Sequence, residues 1–210
     1  MTQPITSSKN SLSICIIYHS NYGHTRRVAH AIAQGVELYS DSIAENKDSH
    51  TDVTKPIEPI CLDISKMNEA EWEVTDKADM LVFGCAVYMG SVTAEFKAFM
   101  DASSQRWFHR KWHGKWSAGF ANSGGLSGDK LAVLQQICLF AMQHGMNWAG
   151  FPVMPTGHTE QDINRLSSFL GLMTQSLDAP PEQTPPEGDI QTAIKFGEHL
   201  AKVVSEQPPQ

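Results

Sequence analysis

The first forty residues constrain this chain more than any other feature. Ser13-Ile-Cys-Ile-Ile-Tyr18 is a short, β-branched apolar run without polar alternation. That is the pattern of a strand buried on both faces of a parallel sheet. A polar turn with one glycine follows, from His19 to His24, and then Val28, Ala29, Ile32, Ala33 and Val36 recur at helical spacing. The chain thus opens as strand, loop, helix, and the rhythm returns. Ile57 to Ile64 and Met80 to Cys85 predict a second and a third strand. A helix with Phe96, Phe99 and Met100 on one face comes next, then a fourth strand, Trp116 to Ala121. Leu131, Leu134, Ile137, Cys138 and Ala141 mark a helix that stops at Gly145. Trp148 to Met154 predicts a fifth strand. Asp189 is the expected N-cap of a last helix that buries Ile190, Ala193, Ile194, Leu200, Ala201 and Val204. Strands alternating with helices predict an α/β fold whose parallel sheet is covered on both faces.

Residues 155–188 break the rhythm. They hold a predicted short helix, Gln161 to Gln175, and a Pro-rich stretch, Ala179 to Gly188. Connections of this length are uncommon unless they have a task. This one is expected to be a surface connection, a cover over a site, or an arm to a neighbouring subunit.

At 210 residues, one domain over 11–206 is expected, with residues 1–10 a flexible tail. That tail lacks the apolar core of a signal peptide, and no apolar run nears the roughly 20 residues of a membrane span, so a cytoplasmic protein without a membrane partner is expected. The net charge of -7 argues against nucleic acid as a partner. The one basic cluster, His109-Arg110-Lys111 with His113 and Lys115, is expected to be a solvated loop. Cys15, Cys61, Cys85 and Cys138 lie far apart and form no C-x-x-C pair, which predicts reduced, mostly buried thiols and no metal site.

In an open parallel sheet, ligands bind beyond the carboxyl ends of the strands, where the strand order reverses. Three loops therefore matter. Ser20-Asn21-Tyr22-Gly23-His24-Thr25 offers hydroxyls, an amide and a tight glycine turn at the start of a helix, which suits a phosphate. It is neither G-x-x-x-x-G-K-[ST] nor G-x-G-x-x-G, which disfavours a P-loop NTPase and a Rossmann nicotinamide site. Ala86-Val87-Tyr88-Met89-Gly90 sets apolar and aromatic groups where a flat ring would pack, though core or rim packing explains them as well. Asn122-Ser123-Gly124-Gly125-Leu126-Ser127 is small and polar, so its backbone can approach a ligand edge; a flexible turn is the alternative.

Ser20-Asn-Tyr-Gly-His-Thr25 resembles the FMN phosphate loop of flavodoxin-like proteins, and is most similar to that of the WrbA-type NAD(P)H:quinone oxidoreductases. Phe83-Gly-Cys-Ala-Val-Tyr-Met-Gly90 with Ala94-Glu-Phe-Lys-Ala-Phe-Met-Asp101 resembles their second flavin loop and its helix. Gly114-Lys115, Asn122-Ser123-Gly124 and Gln143-His144-Gly145-Met146 fall in matching order, so the resemblance spans about Ile14 to Pro152. It implies a flavodoxin-like, doubly wound, five-stranded parallel sheet of order 2-1-3-4-5. It also implies FMN as cofactor, NAD(P)H as electron donor, a quinone or other small-molecule acceptor, and a homo-dimer or homo-tetramer.

By position, the resemblance assigns Ser20 to Thr25 to the FMN phosphate and Val87, Tyr88 and Met89 to the ring. Asn122 to Ser127 would meet the ring edge and ribityl chain. His144 would contact the flavin, Trp107 would stand on the acceptor side, and Tyr22 on the nicotinamide side. Trp107 and Trp112 are expected to be exposed enough to pair across subunits. Two departures stand out. The family's Pro-Thr-Arg-Phe is replaced by Ala86-Val87-Tyr88-Met89, and Asn164-Arg165-Leu166 with Gly171-Leu-Met-Thr-Gln175 looks more like other flavodoxin-family oxidoreductases. An electron carrier of the flavodoxin type, or a binding module without flavin, are the alternative functions.

Overall fold

A computed structural model describes residues 11–45 and 55–206; the expected tail over residues 1–10 lies outside them. The chain runs β1 (Leu12–Tyr18), α1 (His24–Glu45), β2 (Ile57–Asp63), α2 (Glu69–Lys77) and β3 (Met80–Ala86). It continues through α3 (Ala94–Ala102), α4 (Ser104–Phe108), β4 (Trp116–Ser123), α5 (Lys130–Gln143) and β5 (Asn147–Trp148), and ends in β6 (Leu172–Gln175) and α6 (Glu187–Ser205). All strand pairs are parallel, in the order β2-β1-β3-β4-β5 expected from the resemblance.

The two faces of the sheet explain the unbroken apolar strands. In β1, Ile14, Ile16 and Tyr18 pack with α1 and α6, while Cys15 and Ile17 join a second cluster with Phe96, Phe99 and Ile137 of α3 and α5. No position on β1 beyond Leu12 faces water, so a polar alternation has no place there. On the first face, α1 and α6 touch backbone to backbone. A Cβ on Gly35 would lie 1.9 Å from the Ile194 carbonyl oxygen, and one on Gly197 would lie 2.0 Å from that of Ile32.

The fifth sheet position departs from expectation. Trp148 to Met154 is not one strand: β5 has two residues, and the far half of β4 pairs instead with β6, through Phe120↔Leu172 to Ser123↔Gln175. Asn147 and Ala149 donate to the Lys115 and Ser117 carbonyls, but the next N–H in register, that of Phe151, bonds the Phe169 carbonyl at 2.9 Å instead, so the chain leaves the edge and returns about twenty residues later. The helix expected over Gln161 to Gln175 is absent as well. Asn164 and Ser167 adopt positive φ, and the Asn164 side chain bonds the Val153 and Ser168 carbonyls and the Ser168 N–H. Such local bonds compete with a helix ladder.

Smaller departures lie at single residues. The last helix starts at Glu187 after Pro186, and Asp189 lies within its first turn, where its carboxylate serves Arg165 and Gln175 rather than capping the helix. Leu131 is exposed, and α5 buries Val133, Leu134, Ile137, Phe140 and Ala141. Trp112 is fully buried, stacked with Trp72 and Phe99, and donates Nε1–H to Asp76 at 3.0 Å, so it is no subunit contact; Trp107 is exposed. In the basic cluster, His109, Arg110, Lys111 and His113 are exposed, but the Lys115 ammonium is tied to the carbonyls of Asp76 and Ala78.

Candidate functional site

The chain moves from β1 to one side of the sheet and then back across to β3, so the order reverses between them. The loops after β1, β3 and β4 meet there around an open cleft. Ser20, Asn21, Tyr22, His24 and Thr25 line it from the first loop, Val87 and Tyr88 from the second, and Asn122, Ser123 and Gly124 from the third. Ala86 and Ser176 line it too. No Asp or Glu does, which suits an anionic ligand.

The first loop is built to donate. Ser20 Oγ accepts the Gly23 N–H at 3.1 Å, and Gly23 sits at φ +92, which lets the chain turn directly into α1. Among the described residues, the N–H groups of Asn21, Tyr22, His24 and Thr25 have no acceptor in the protein. Those of His24 and Thr25 are the orphan donors of a helix start, those of Asn21 and Tyr22 belong to the turn before it, and all are reinforced by the positive end of a 22-residue helix with no acid in its first turn.

The long excursion locks this loop in place. His24 Nε2–H donates to the Ala179 carbonyl at 2.9 Å, and Arg27 donates to the Pro181 and Pro185 carbonyls at 2.9 and 3.1 Å. A Cβ on Gly23 would come within 3.0 Å of Pro181. The stretch 177–186 is therefore a strap across the start of α1, and Ser176 just before it reaches the cleft. The unusual length of the excursion was the only sequence signal for Ser176.

In the second loop, Tyr88 and Ser91 exchange both backbone hydrogen bonds, each 3.1 Å, across Met89 and Gly90 at positive φ. Met89 projects from the tip of this tight turn into solvent, outside the cleft. Ala86 at the root of the loop lines the cleft in its stead.

The third loop shows a one-sided arrangement. Asn122 Oδ1 accepts from both Thr174 Oγ1 and Ser176 Oγ, at 2.8 and 3.0 Å, which leaves the Nδ2 donors for a ligand. The carbonyls of Ser123 to Leu126 all point to protein donors. Ser176 N–H holds Ser123, Gln175 Nε2 holds Gly124, and Lys130 Nζ holds Gly125 and Leu126. A trans peptide directs N–H opposite to C=O, so the N–H groups of Gly125, Leu126 and Ser127 turn the other way. Gly125, Leu126 and Ser127 themselves are exposed and continue the rim beyond the cleft lining.

His144 and Trp107 are not brought to the cleft. Trp107 is exposed on α4. His144 is buried, packed against Trp112 at 4.5 Å and Phe140 at 4.8 Å between ring centres. Ser103 Oγ donates to the Met100 carbonyl, so it accepts from His144 Nε2–H at 2.9 Å, and His144 Nδ1 is buried without a partner. Burial pushes its pKa down to about 4. Unfolded, the imidazole takes a proton near pH 6.5; folded, it does not until about pH 4. Stability is therefore full above pH 6.5 and falls by roughly 2–3 kcal/mol as the pH drops toward 4. A His144→Phe variant is expected to flatten this acid slope in urea unfolding at pH 4.5 against pH 7. His199, also pushed down mainly by burial, keeps a residual slope.

The cleft holds no reactive thiol. Cys85, at the end of β3, is buried and raised to about 12, and all four cysteines are free. Among the described residues no cluster of three His, Cys, Asp or Glu side chains could hold a metal, and no helix is long and apolar enough to cross a membrane.

An open parallel sheet with a donor-rich, acid-free cleft at its switch point defines a nucleotide-cofactor protein of the flavodoxin-like class. The sequence matches the NADPH-dependent FMN reductase family over residues 13–159, and the chain belongs to that family. It is 35% identical to flavodoxin FldP of Pseudomonas aeruginosa over 191 residues, 90% of this chain and 94% of the other. With an NAD(P)H dehydrogenase (quinone) of Archaeoglobus fulgidus it shares 25% identity, over 90% and 96% of the two chains. A crystal structure of a WrbA-like flavodoxin from Agrobacterium tumefaciens superposes with a TM-score of 0.67 at 33% identity, covering 92% of this chain and 98% of that one. Membership brings FMN as the cofactor and NAD(P)H as the electron donor.

Proposed function

We propose that the protein is an FMN-dependent oxidoreductase that passes electrons from NAD(P)H to a quinone-like small-molecule acceptor. The observation that carries this reading is the donor set of the cleft. Free N–H groups at the start of α1, the uncommitted Asn122 Nδ2 and the outward N–H groups of the third loop fit a ligand with a phosphate at one end and carbonyl oxygens at the other. Bound FMN supplies the electron transfer chemistry at its ring.

The chain's own part is to bind, orient and exclude. Ser20, Asn21, Tyr22, Gly23, His24 and Thr25 hold the phosphate. Ala86, Val87 and Tyr88 pack on the ring, with Met89 at the outer lip. Asn122 to Ser127 donate to the ring edge. Tyr22 and Tyr88, both exposed at the mouth, flank the approach of the nicotinamide. His144, whose ring faces Trp112 and Phe140, is given no part in holding the flavin within one chain. Trp107 is assigned to the acceptor side only in a homo-oligomer, where an exposed α4 could meet a second cleft.

The likeness to flavodoxin FldP supports a second reading, an electron carrier. Steady-state NAD(P)H oxidation by the FMN-loaded protein separates the two. Turnover that requires both FMN and benzoquinone is the expected result. A flavin-loaded protein that leaves NADH and NADPH untouched with quinone present would favour the carrier.

A further inference from the structure

Lys130 is the first residue of α5, and its side chain is fully buried. A lysine at a helix start is ordinarily solvated and ill-placed against the positive helix end. Here its ammonium has three acceptors and no direct carboxylate partner. It donates to Ser123 Oγ at 2.8 Å, to the Gly125 carbonyl at 2.6 Å and to the Leu126 carbonyl at 3.0 Å. All three of its N–H bonds are thus spent on one loop. The charged groups facing it are Asp189 of α6 and Arg165 of the excursion, and those two pair with each other at 2.7 Å. The positive charge of Lys130 is therefore not cancelled by a partner of its own. A buried cation costs stability unless something at the site makes use of it.

We propose that Lys130 is the positioning residue of the flavin-edge loop: by drawing the Gly125 and Leu126 carbonyls inward it turns the following N–H groups outward as donors to the carbonyl-bearing edge of the ring, and it fixes a positive charge behind them. The inference rests on the FMN reading of the cleft. It predicts that Lys130 discriminates between the redox states of the cofactor. Reduction adds electron density to the ring, and outward N–H groups with a cation behind them favour the electron-rich form over the oxidised one.

The experiment compares the wild-type protein with Lys130→Met and Lys130→Gln. FMN and riboflavin affinities are measured by fluorescence quenching at pH 7, and the midpoint potential of the bound flavin by redox titration. Both variants are expected to bind FMN and riboflavin at least about tenfold more weakly, by the same factor for each, because the ring edge and not the phosphate is affected. Their midpoint potentials are expected to fall. A residue that merely stiffens the fold would weaken both redox states equally and leave the potential where it was.

The wild-type protein alone gives an independent reading. Burial lowers the Lys130 pKa to about 8. The protonated form is the one that grips the loop, so FMN affinity is expected to fall as the pH rises from 7 to 9. This series decides the matter if neither variant folds. Folded variants with wild-type potential, or a flat wild-type series from pH 7 to 9, would overturn the role of Lys130. Wild-type protein that takes up neither flavin would overturn the FMN reading itself, and this inference with it.

Discussion

A Ser20→Asp variant is expected to bind FMN about a hundredfold more weakly than the wild-type protein, while its riboflavin affinity stays nearly unchanged. Ser20 Oγ already accepts the Gly23 N–H at 3.1 Å and lines the cleft. A carboxylate in its place would accept that bond more strongly and would also reach for the neighbouring free donors. It would act as an internal substitute for the ligand's anion. It would also set a negative charge beside the phosphate in a cleft that otherwise has no acid. Two effects of the same sign then combine. Riboflavin lacks the phosphate, so it feels neither strongly. Fluorescence titrations of both flavins against both proteins measure the result. An equal loss for riboflavin would mean that the substitution damaged the whole cleft, and that Ser20 does not mark the phosphate end.

An Asp189→Ala variant is expected to lose about 3–5 kcal/mol of stability, because it strands a buried guanidinium. For a chain of this size that lowers the melting temperature by about 10 °C. Asp189 accepts from Arg165 Nε at 2.7 Å and Nη2 at 3.3 Å, and from the Gln175 N–H at 2.7 Å. Arg165 also holds Gln175 Oε1 at 3.0 Å, and Gln175 Nε2 holds the Gly124 carbonyl at 2.9 Å. One carboxylate thus ties α6, the excursion, β6 and the third loop together. FMN binding is expected to weaken with the fold. The paired replacement Arg165→Met with Asp189→Leu removes both charges and should regain much of the lost stability. Thermal unfolding of the single and double variants checks this. A double variant no more stable than Asp189→Ala would mean that the hydrogen bonds to Gln175, not the stranded charge, set the cost.

The parts of the fold that follow from local pattern were legible in the sequence. Ile14 to Tyr18 announced a strand buried on both sides, and Val28 to Val36 the helix behind it, because burial on two faces removes all polar alternation. The cleft loops were legible for a related reason. Ser20 to Thr25 and Asn122 to Gly124 are polar and small where the surrounding strands are not. A further helix, α2, carries its own start signal in Asn68 and Glu71. Asn68 accepts the Ala70 N–H and Glu71 accepts the Asn68 N–H, a capping arrangement with its own residue pattern.

What escaped the sequence depends on contacts between distant residues. The sharing of the β4 edge between β5 and β6 turns on the Phe151 N–H bonding the Phe169 carbonyl and on side-chain bonds of Asn164, neither of which alters hydrophobic periodicity. Asp189 looked like a helix cap because its role is set by Arg165, twenty-four residues earlier. Nothing in the local pattern around Lys130 sets it apart from a solvated lysine, because its burial depends on Ser123, Gly125 and Leu126 of the preceding loop. His144 lay in a familiar stretch, yet its surroundings are fixed by Ser103 and Trp112, and neither neighbour is visible from local spacing.

On the function proposed above, this cleft holds FMN where NAD(P)H can reduce it. The most direct test is to mix the FMN-loaded protein with NADPH, and separately with NADH, without oxygen in a stopped-flow cell, and to follow the flavin absorbance near its long-wavelength maximum. One or both nucleotides are expected to bleach the bound flavin, and benzoquinone added afterwards is expected to restore the colour. A bound flavin that stays oxidised with excess of either nucleotide would contradict that function.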